Sequence, residues 1–494
     1  MKLSEIVCAL SNIVVNIMNG SSEDVEISSI ATHSSQVRKG TLFICRKGNR
    51  FDSHLIASEM IYRGAVALVT ERPLKKLSNV PIIVVEDSKL AESIIASEFF
   101  GHPYRKLVTV GITGTNGKST TARFIFEALR YFGIHASIMG TVQNVVGDEI
   151  FNSPVHTTPP AIELLGKMRK SLDHGDTHFI MEVSSHALKL KRVESVRFDV
   201  GVITNITRDH LELHGDFEDY RATKFHIADL LKDNGLMVIS RDHVELAPIK
   251  ERGKPVITYG KKKDADVRIS EMVTSREGSE FVVETSGSRC AFRTKLIGFH
   301  NIYNLAAGIT VLTTMGYKLE DLVEPVALFE GVEGRFQLLH SVSRMLGFDV
   351  IVDFAHTPDA LYRVIQSARA ITSGRVIVVF GAGGESDPGK RPIMGRVVSR
   401  FADVTIVTTD DPKSEDPDEI IEQVVKGITE GAPHLVVPDR REAIEMALTI
   451  ANKNDTVIIA GRGHEEYMVL KDRKIPFKDA EVVEEIARRL CRKH

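Results

Sequence analysis

Thr109-Val-Gly-Ile-Thr-Gly-Thr-Asn-Gly-Lys-Ser-Thr-Thr121 is the stretch on which the reading of this sequence turns. Ahead of it, Lys106-Leu-Val-Thr-Val110 is a short β-branched run that predicts a strand. Behind it, Ala122-Arg-Phe-Ile-Phe-Glu-Ala-Leu129 carries apolar residues at helical spacing. A glycine-rich turn between a strand and a helix aims backbone N–H groups and a helix N-terminus at one point, and that point binds phosphate. Lys118 is placed to reach the outer phosphates and the Ser119 hydroxyl to sit on Mg²⁺. The strict pattern calls for glycine where Ile112 stands; Gly111, Gly114 and Gly117 supply the flexibility at shifted places.

Working outward, a chain of 494 residues is long enough for about three domains. With 26% charged and 43% hydrophobic residues it has the balance of an ordinary soluble globular protein. A formal net charge of −3 gives no pull toward nucleic acid or a membrane surface. Cys8, Cys45, Cys290 and Cys491 lie far apart without a Cys-x-x-Cys pair, which points to reduced thiols in a cytosolic protein and not to zinc or disulfides. Leu3, Ile6, Val7, Leu10, Ile13, Val14 and Ile17 share one helical face, so the N-terminus reads as one amphipathic helix rather than a signal peptide. No run reaches the ~20 apolar residues a membrane span needs.

Residues 1–102 read as a small α/β unit with strands at 41–45, 65–69 and 81–85, followed by a Gly101-His-Pro103 linker. The second unit, 103–335, has strands at 179–183 and 200–205, a helical pattern carrying Lys224, β-like sequence over 259–297 and a helix starting at 298. Glu182 is a carboxylate inside an apolar run, where an unpaired charge is costly; it reads as a salt-bridged core acid or as a metal or phosphate-site ligand. His210 and His214 are four apart, but Gly215 follows at once and no cysteine is near, so a zinc site is weakly supported. By pattern alone Lys224 is a solvated surface lysine. The third unit, 336–494, alternates strands at 348–353, 375–380, 403–408, 434–437 and 456–460 with helical patterns, which predicts a doubly wound parallel sheet. Its loops Asp353-Phe-Ala-His356, Gly389-Lys-Arg391, Asp410-Asp-Pro-Lys413 and Gly461-Arg-Gly-His-Glu465 all follow strands and gather at the carboxyl edge, where such sheets bind ligands.

Taken together and in order, these motifs resemble the Mur ligase family across essentially the whole chain. The signals are Gly-Thr-Asn-Gly-Lys-Ser at 114–119, Met-Glu-Val-Ser-Ser-His at 181–186, Asn-Ile-Thr-Arg-Asp-His-Leu at 205–211, His-Asn-Ile-Tyr-Asn at 300–304 and Gly-Val-Glu-Gly-Arg-Phe at 331–336. Thr157-Thr-Pro159, Asp410-Asp-Pro-Lys413 and Gly461-Arg-Gly-His-Glu465 resemble the branch that adds the third amino acid to UDP-N-acetylmuramoyl-L-alanyl-D-glutamate. The resemblance implies three domains, a UDP-sugar-binding one, a central ATP-binding one and a C-terminal amino-acid-binding one, in a cytoplasmic monomer with no nucleic-acid or membrane partner.

Site roles follow from the resemblance position by position. Lys118, Glu182, His210, Lys224 and Arg335 take the catalytic positions, with Ser119, Glu182, His210 and Lys224 around Mg²⁺ and Lys224 carbamylated to N6-carboxylysine, an anionic oxygen donor. Gly114, Thr115, Asn116, Gly117, Lys118, Ser119, Thr120, Asn304, Arg335 and Asp353 fall at ATP. Ser34, Asn49, Arg50 and Phe51 correspond to uridine contacts, and Thr157, Thr158, Ser184 and Arg192 to muramoyl-dipeptide contacts; Leu190 stands where the family often has glutamine. Arg391, Asp410, Asp411, Pro412, Lys413, Gly461 and Glu465 fall at the incoming amino acid. The branch using meso-diaminopimelate typically carries Asp-Asn-Pro-Arg; here Asp411 adds a negative charge and Lys413 is a poorer fork than arginine, so L-lysine is expected, with meso-diaminopimelate as the alternative. Two rivals are a regulatory GTPase, for which Asn452-Lys-Asn-Asp455 mimics a guanine-reading motif, and folylpolyglutamate synthase, which shares the ATP chemistry.

Overall fold

The computed structural model describes the chain except residues 20–24, 49–50, 75–76, 78–79, 153–155, 210, 472 and 493–494. Among the described residues no helix is long and apolar enough to cross a membrane.

Three α/β sheets follow one another along the chain. The first has five strands in the spatial order Val14–Met18, Ile82–Val85, Ala65–Thr70, Thr41–Ile44, Ser29–Ala31. All neighbours pair parallel except Val14–Met18, an antiparallel edge against Ile82–Val85. That edge corrects the expected N-terminal amphipathic helix. The helix covers only Leu3–Ala9, with Leu3 and Ile6 on its buried face and Leu10 buried at its C-terminal cap. Beyond it Val14, Val15 and Ile17 are β-branched, lose rotamer freedom in a helix, and gain backbone partners from the open edge of the sheet.

The second sheet has eleven strands, Arg289–Thr294, Gly278–Glu284, Val267–Ser275, Val256–Gly260, Leu231–Ser240, Phe198–Ile203, Val108–Thr113, His178–Glu182, Ala136–Met139, Gln143–Val146 and Glu149–Asn152 in spatial order. From Val267–Ser275 to Ala136–Met139 the pairing is parallel, with antiparallel hairpins added at both ends. Val108–Thr113 therefore lies deep in the sheet, between two parallel neighbours, and its carboxyl end opens onto a crevice. Helices Lys118–Tyr131 and Phe299–Thr314 pack on one face of this sheet; Ala161–His174 packs on the other. The core on that other face continues into the first sheet through Ala91 and Ile95 of the helix Ser88–Phe99, so the two units share apolar packing.

The third sheet runs Gln337–Leu338, Asp349–Asp353, Thr456–Ala460, Val376–Phe380, Val404–Val407, His434–Val436. Every pair is parallel except the first. Pro358–Arg369, Lys390–Phe401 and Pro417–Val425 cover one face, and His340–Leu346, Arg440–Ile450 and Asp479–Cys491 the other. This is the expected doubly wound arrangement. The hairpin Tyr467–Leu470 with Arg473–Pro476 was not foreseen.

Candidate active site

Gly117 makes the turn into the helix Lys118–Tyr131. Its φ of +91° is a left-handed value, and a Cβ there would lie 2.2 Å from the Asn304 Oδ1, so only glycine fits. The rest of the loop is held by the segment after the strand Phe198–Ile203. Asn116 N donates to Asn205 Oδ1 at 3.0 Å, Asn205 Nδ2 donates to Asn116 O at 2.9 Å, Thr204 Oγ1 donates to Asn116 O at 2.6 Å, and the Thr115 and Tyr220 hydroxyls meet at 2.9 Å.

Two lysines converge on this loop. Lys118 Nζ donates to the carbonyls of Gly114 and Thr115 at 2.8 and 2.9 Å, and Lys224 Nζ donates to Gly114 O at 2.9 Å. Lys224 is 1% exposed and lies over the Tyr220 ring, which corrects the surface reading of its helical pattern. Burial, with the neighbouring Lys118 charge, holds its amine well below the usual range, against the opposing pull of Asp209. Lys118 is lowered too, by burial and by Arg335, against Glu182 and Asp209.

Glu182 ends its strand at 2% exposure, accepting Thr141 N on Oε1 at 2.7 Å and the Thr141 hydroxyl on Oε2 at 3.0 Å. The residues expected at the muramoyl-dipeptide cluster beside it. Thr158 Oγ1 donates to Glu182 O at 2.8 Å and accepts Ser184 N at 3.1 Å; Arg192 Nη1 donates to Thr158 O at 2.7 Å; the Thr157 and Thr141 hydroxyls are 3.1 Å apart. Arg335 faces the same crevice, its guanidinium stacked 4.3 Å from the Phe354 centroid and 3.4 Å from Ser119 Oγ, with Nε buried and unpartnered. It makes no carboxylate ion pair among the described residues, so its fork is available to an anion.

The crevice continues past Arg335 and Phe354 into a second cleft lined by Thr120, Asn304, His300, Tyr303 and Asp353. Asp353 is occupied by the N–H groups of Phe336 at 2.5 Å and Ala355 at 2.7 Å. A nucleotide laid along both clefts would set its polyphosphate against Lys118 and its base beside Tyr303. Ser34 and Phe51 line neither cleft, and Phe51 is 54% exposed; Asn49, Arg50 and His210 lie outside the described residues.

Beyond Arg335, the loops of the third sheet build a charged cluster. One carboxylate oxygen each from Asp410, Asp411 and Glu465 fall within 4.8 Å of one another. Gly461, at φ +118°, lets the chain pass Asp410; a Cβ there would lie 2.2 Å from Asp410 Oδ2. Burial and the two aspartates push the Glu465 carboxyl up to about 8, and burial also raises Asp410. Pro412 is buried and Lys413, at φ 53°, donates its N–H to Val469 O at 3.0 Å. Arg391 is only 1% exposed, and its two Nη atoms donate to the Glu415 carboxylate at 2.8 and 2.9 Å, so a substrate carboxylate would have to displace Glu415 to reach it. The guanine-reading mimic fails at Asp455, whose carboxylate is held by Arg375 at 2.7 Å and by Asn452 N at 2.8 Å. Sequence reasoning missed Phe354, Glu415 and Arg462. Of these only Arg462 carried a signal, as a charged residue framed by two glycines after a buried strand.

Residues 112–312 match the Mur ligase middle domain, and 334–463 match the Mur ligase glutamate ligase domain. The chain is 38% identical over 464 residues to the UDP-N-acetylmuramoyl-L-alanyl-D-glutamate–2,6-diaminopimelate ligase of Caldanaerobacter subterraneus subsp. tengcongensis, covering 94% of this chain and 95% of that one. It is 36% identical over 494 residues to the ligase of the same name from Clostridium tetani, covering 99% and 100%. A solved structure of a ligase of that name superposes with a TM-score of 0.69 at 28% identity, covering 100% of this chain and 99% of that one.

Proposed function

The chain belongs to the Mur ligase family and is an ATP-dependent acid–amino-acid ligase, and we propose that it joins meso-diaminopimelate to UDP-N-acetylmuramoyl-L-alanyl-D-glutamate. The observation that carries this reading is the placement of the Arg335 fork, which meets Ser119 Oγ but no carboxylate among the described residues. It shares its crevice with the phosphate loop and Lys118, and Glu465, from a carboxylate cluster suited to an amino group, is near enough to act on its charge.

The reaction proceeds in two displacements. A D-glutamate carboxylate oxygen attacks the γ-phosphorus of ATP, the bond to the β,γ-bridging oxygen breaks, and ADP leaves. The amine of the incoming amino acid, having lost its proton, then attacks the acyl carbon. The tetrahedral intermediate collapses by breaking the carbon–oxygen bond, releasing inorganic phosphate. Lys118 and Arg335 neutralise charge on the transferring phosphoryl group, and the Thr157, Thr158 and Arg192 cluster orients the acceptor. Glu182 and Ser119 fit Mg²⁺, because each Glu182 oxygen carries one hydrogen bond from Thr141 and keeps lone pairs to spare. Lys224 would fit the metal as a carbamate, an anionic oxygen donor that its amine, lowered by burial, would form with CO₂ on giving up a proton to water. Bound Mg²⁺ would supply further charge neutralisation at the phosphates.

Diaminopimelate replaces the L-lysine expected from sequence on two grounds. The relatives above are named for 2,6-diaminopimelate. The argument for lysine rested on a free negative charge at Asp411, but Arg462 is paired with that carboxylate. The test is steady-state phosphate release from ATP with the UDP-linked dipeptide and each amino acid in turn. The reading predicts a higher kcat/KM for meso-diaminopimelate than for L-lysine. Release with no amino acid tested, or a clear preference for lysine, overturns it.

A further inference from the structure

Arg462 sits at 0% exposure among three acids. Its Nη1 pairs closely with Asp411 and lies 3.6 Å from both Asp410 Oδ1 and Glu465 Oε2, while Nη2 donates to Tyr467 O at 2.5 Å. The same Asp411 oxygen also accepts Val469 N at 3.0 Å, so that carboxylate faces inward on two donors. Three acids this close cannot all stay ionised without a counter-charge.

We infer that Arg462 is a specificity-determining residue: by holding Asp411 as its internal partner, it leaves the pocket complementary to an amino acid with a zwitterionic far end and not to one ending in a lone ammonium. The inference rests on the amino-acid assignment proposed above. Asp410 is drawn toward two guanidiniums, Arg462 and Arg440, and the latter is already paired with the fully buried Asp479 at 2.7 Å. Glu465 is then the acid left to meet an ammonium, and burial with the two aspartates pushes its carboxyl up to about 8. Lys413 ends the same loop, makes no ion pair among the described residues and acts on Glu415 only through its charge, so it is the cation the loop offers a far carboxylate. Removing Arg462 would release Asp411, a second anion that repels that carboxylate and attracts a lone ammonium. A pocket discriminates most strongly when the wrong ligand leaves a charged group unpaired.

The experiment compares kcat/KM for meso-diaminopimelate and L-lysine in the full-length enzyme and in Arg462→Met, Asp411→Asn and the double variant, with melting temperature and KM for ATP as controls for folding. Arg462→Met is expected to lower the diaminopimelate-to-lysine ratio about tenfold, and Asp411→Asn in the same chain to restore most of it. An unchanged ratio in a folded Arg462→Met enzyme overturns the inference. If that variant does not fold, Asp411→Asn alone decides: the ratio should rise, since the released guanidinium adds a cation for the far carboxylate, and a fall overturns the inference. Wild-type enzyme that turns over neither amino acid would defeat the reaction assignment. Diaminopimelate turnover with a ratio indifferent to Arg462 would defeat only the role of that residue.

Discussion

Lys224 shows how a single side chain changes meaning with its surroundings. On a helical wheel it is a surface cation; in the fold it is enclosed, bonded to Gly114 O and held well below the usual amine range. Burial makes this amine give up its proton more readily, which favours uptake of CO₂ beside the phosphate site, so Lys224→Ala should retain under about 1% of turnover. Acetate or propionate in the buffer should restore part of it by replacing the missing oxygens; full activity without rescue would show that the carbamate is not needed. Glu465 gives a second prediction. Burial and the neighbouring Asp410 and Asp411 push its carboxyl up to about 8, so it takes up its charge as pH rises through that range. An ammonium ligand takes the ionised form, so KM for the amino acid should fall between pH 6.5 and 8.5, and the fall should vanish in Glu465→Gln. The motif residues 114–120, Glu182, 410–413, Gly461 and Glu465 stood out in the sequence because phosphate, metal and carboxylate chemistry restricts residue type. Phe354 and Glu415 were not, since an aromatic after a strand and an acid before a helix have many ordinary uses.

At the scale of elements, strands buried on both faces were the easiest to place. Val376–Phe380 is an unbroken apolar run, and Thr456–Ala460 is one after its first residue; both are bounded by polar loops. The misreading at residues 13–17 has a physical cause: positions 13, 14 and 17 extend the helical spacing of 3, 6, 7 and 10, so periodicity continues although the backbone changes from helix to edge strand. The hairpin Tyr467–Leu470 with Arg473–Pro476 was hidden because its strands are four residues long and half exposed. Helix packing yields a prediction here. Gly308 lets the helix Phe299–Thr314 approach the helix Lys118–Tyr131 so closely that a Cβ would lie 2.4 Å from Phe124 Cδ1. Gly308→Ala should cost about 1–3 kcal/mol in urea unfolding. It should also raise KM for ATP, because the first of these helices carries Asn304 against the turn at Gly117. An alanine variant as stable as wild type would mean that the two helices have slack.

At the scale of the whole molecule, the site exists only because the units meet. Asn116 Nδ2 donates to Asp359 Oδ2 at 2.9 Å, Arg208 pairs with Asp387 at 3.3 Å, and Lys390 lies 3.7 Å from Asp209; each contact joins the second unit to the third. Asp387→Arg sets two cations against each other at this junction. It should lower kcat at least about tenfold and expand the radius of gyration in solution scattering, with little change in melting temperature. An unchanged kcat would mean that closure does not gate the reaction. In the proposed reaction both displacements take place in this one crevice, through an acyl phosphate. The direct test uses UDP-N-acetylmuramoyl-L-alanyl-D-glutamate bearing ¹⁸O in the reacting carboxylate, with ATP and meso-diaminopimelate, followed by mass analysis of the released phosphate. One ¹⁸O atom per phosphate formed is expected, since that oxygen bridges carbon and phosphorus before the carbon–oxygen bond breaks; phosphate free of ¹⁸O would exclude the acyl phosphate.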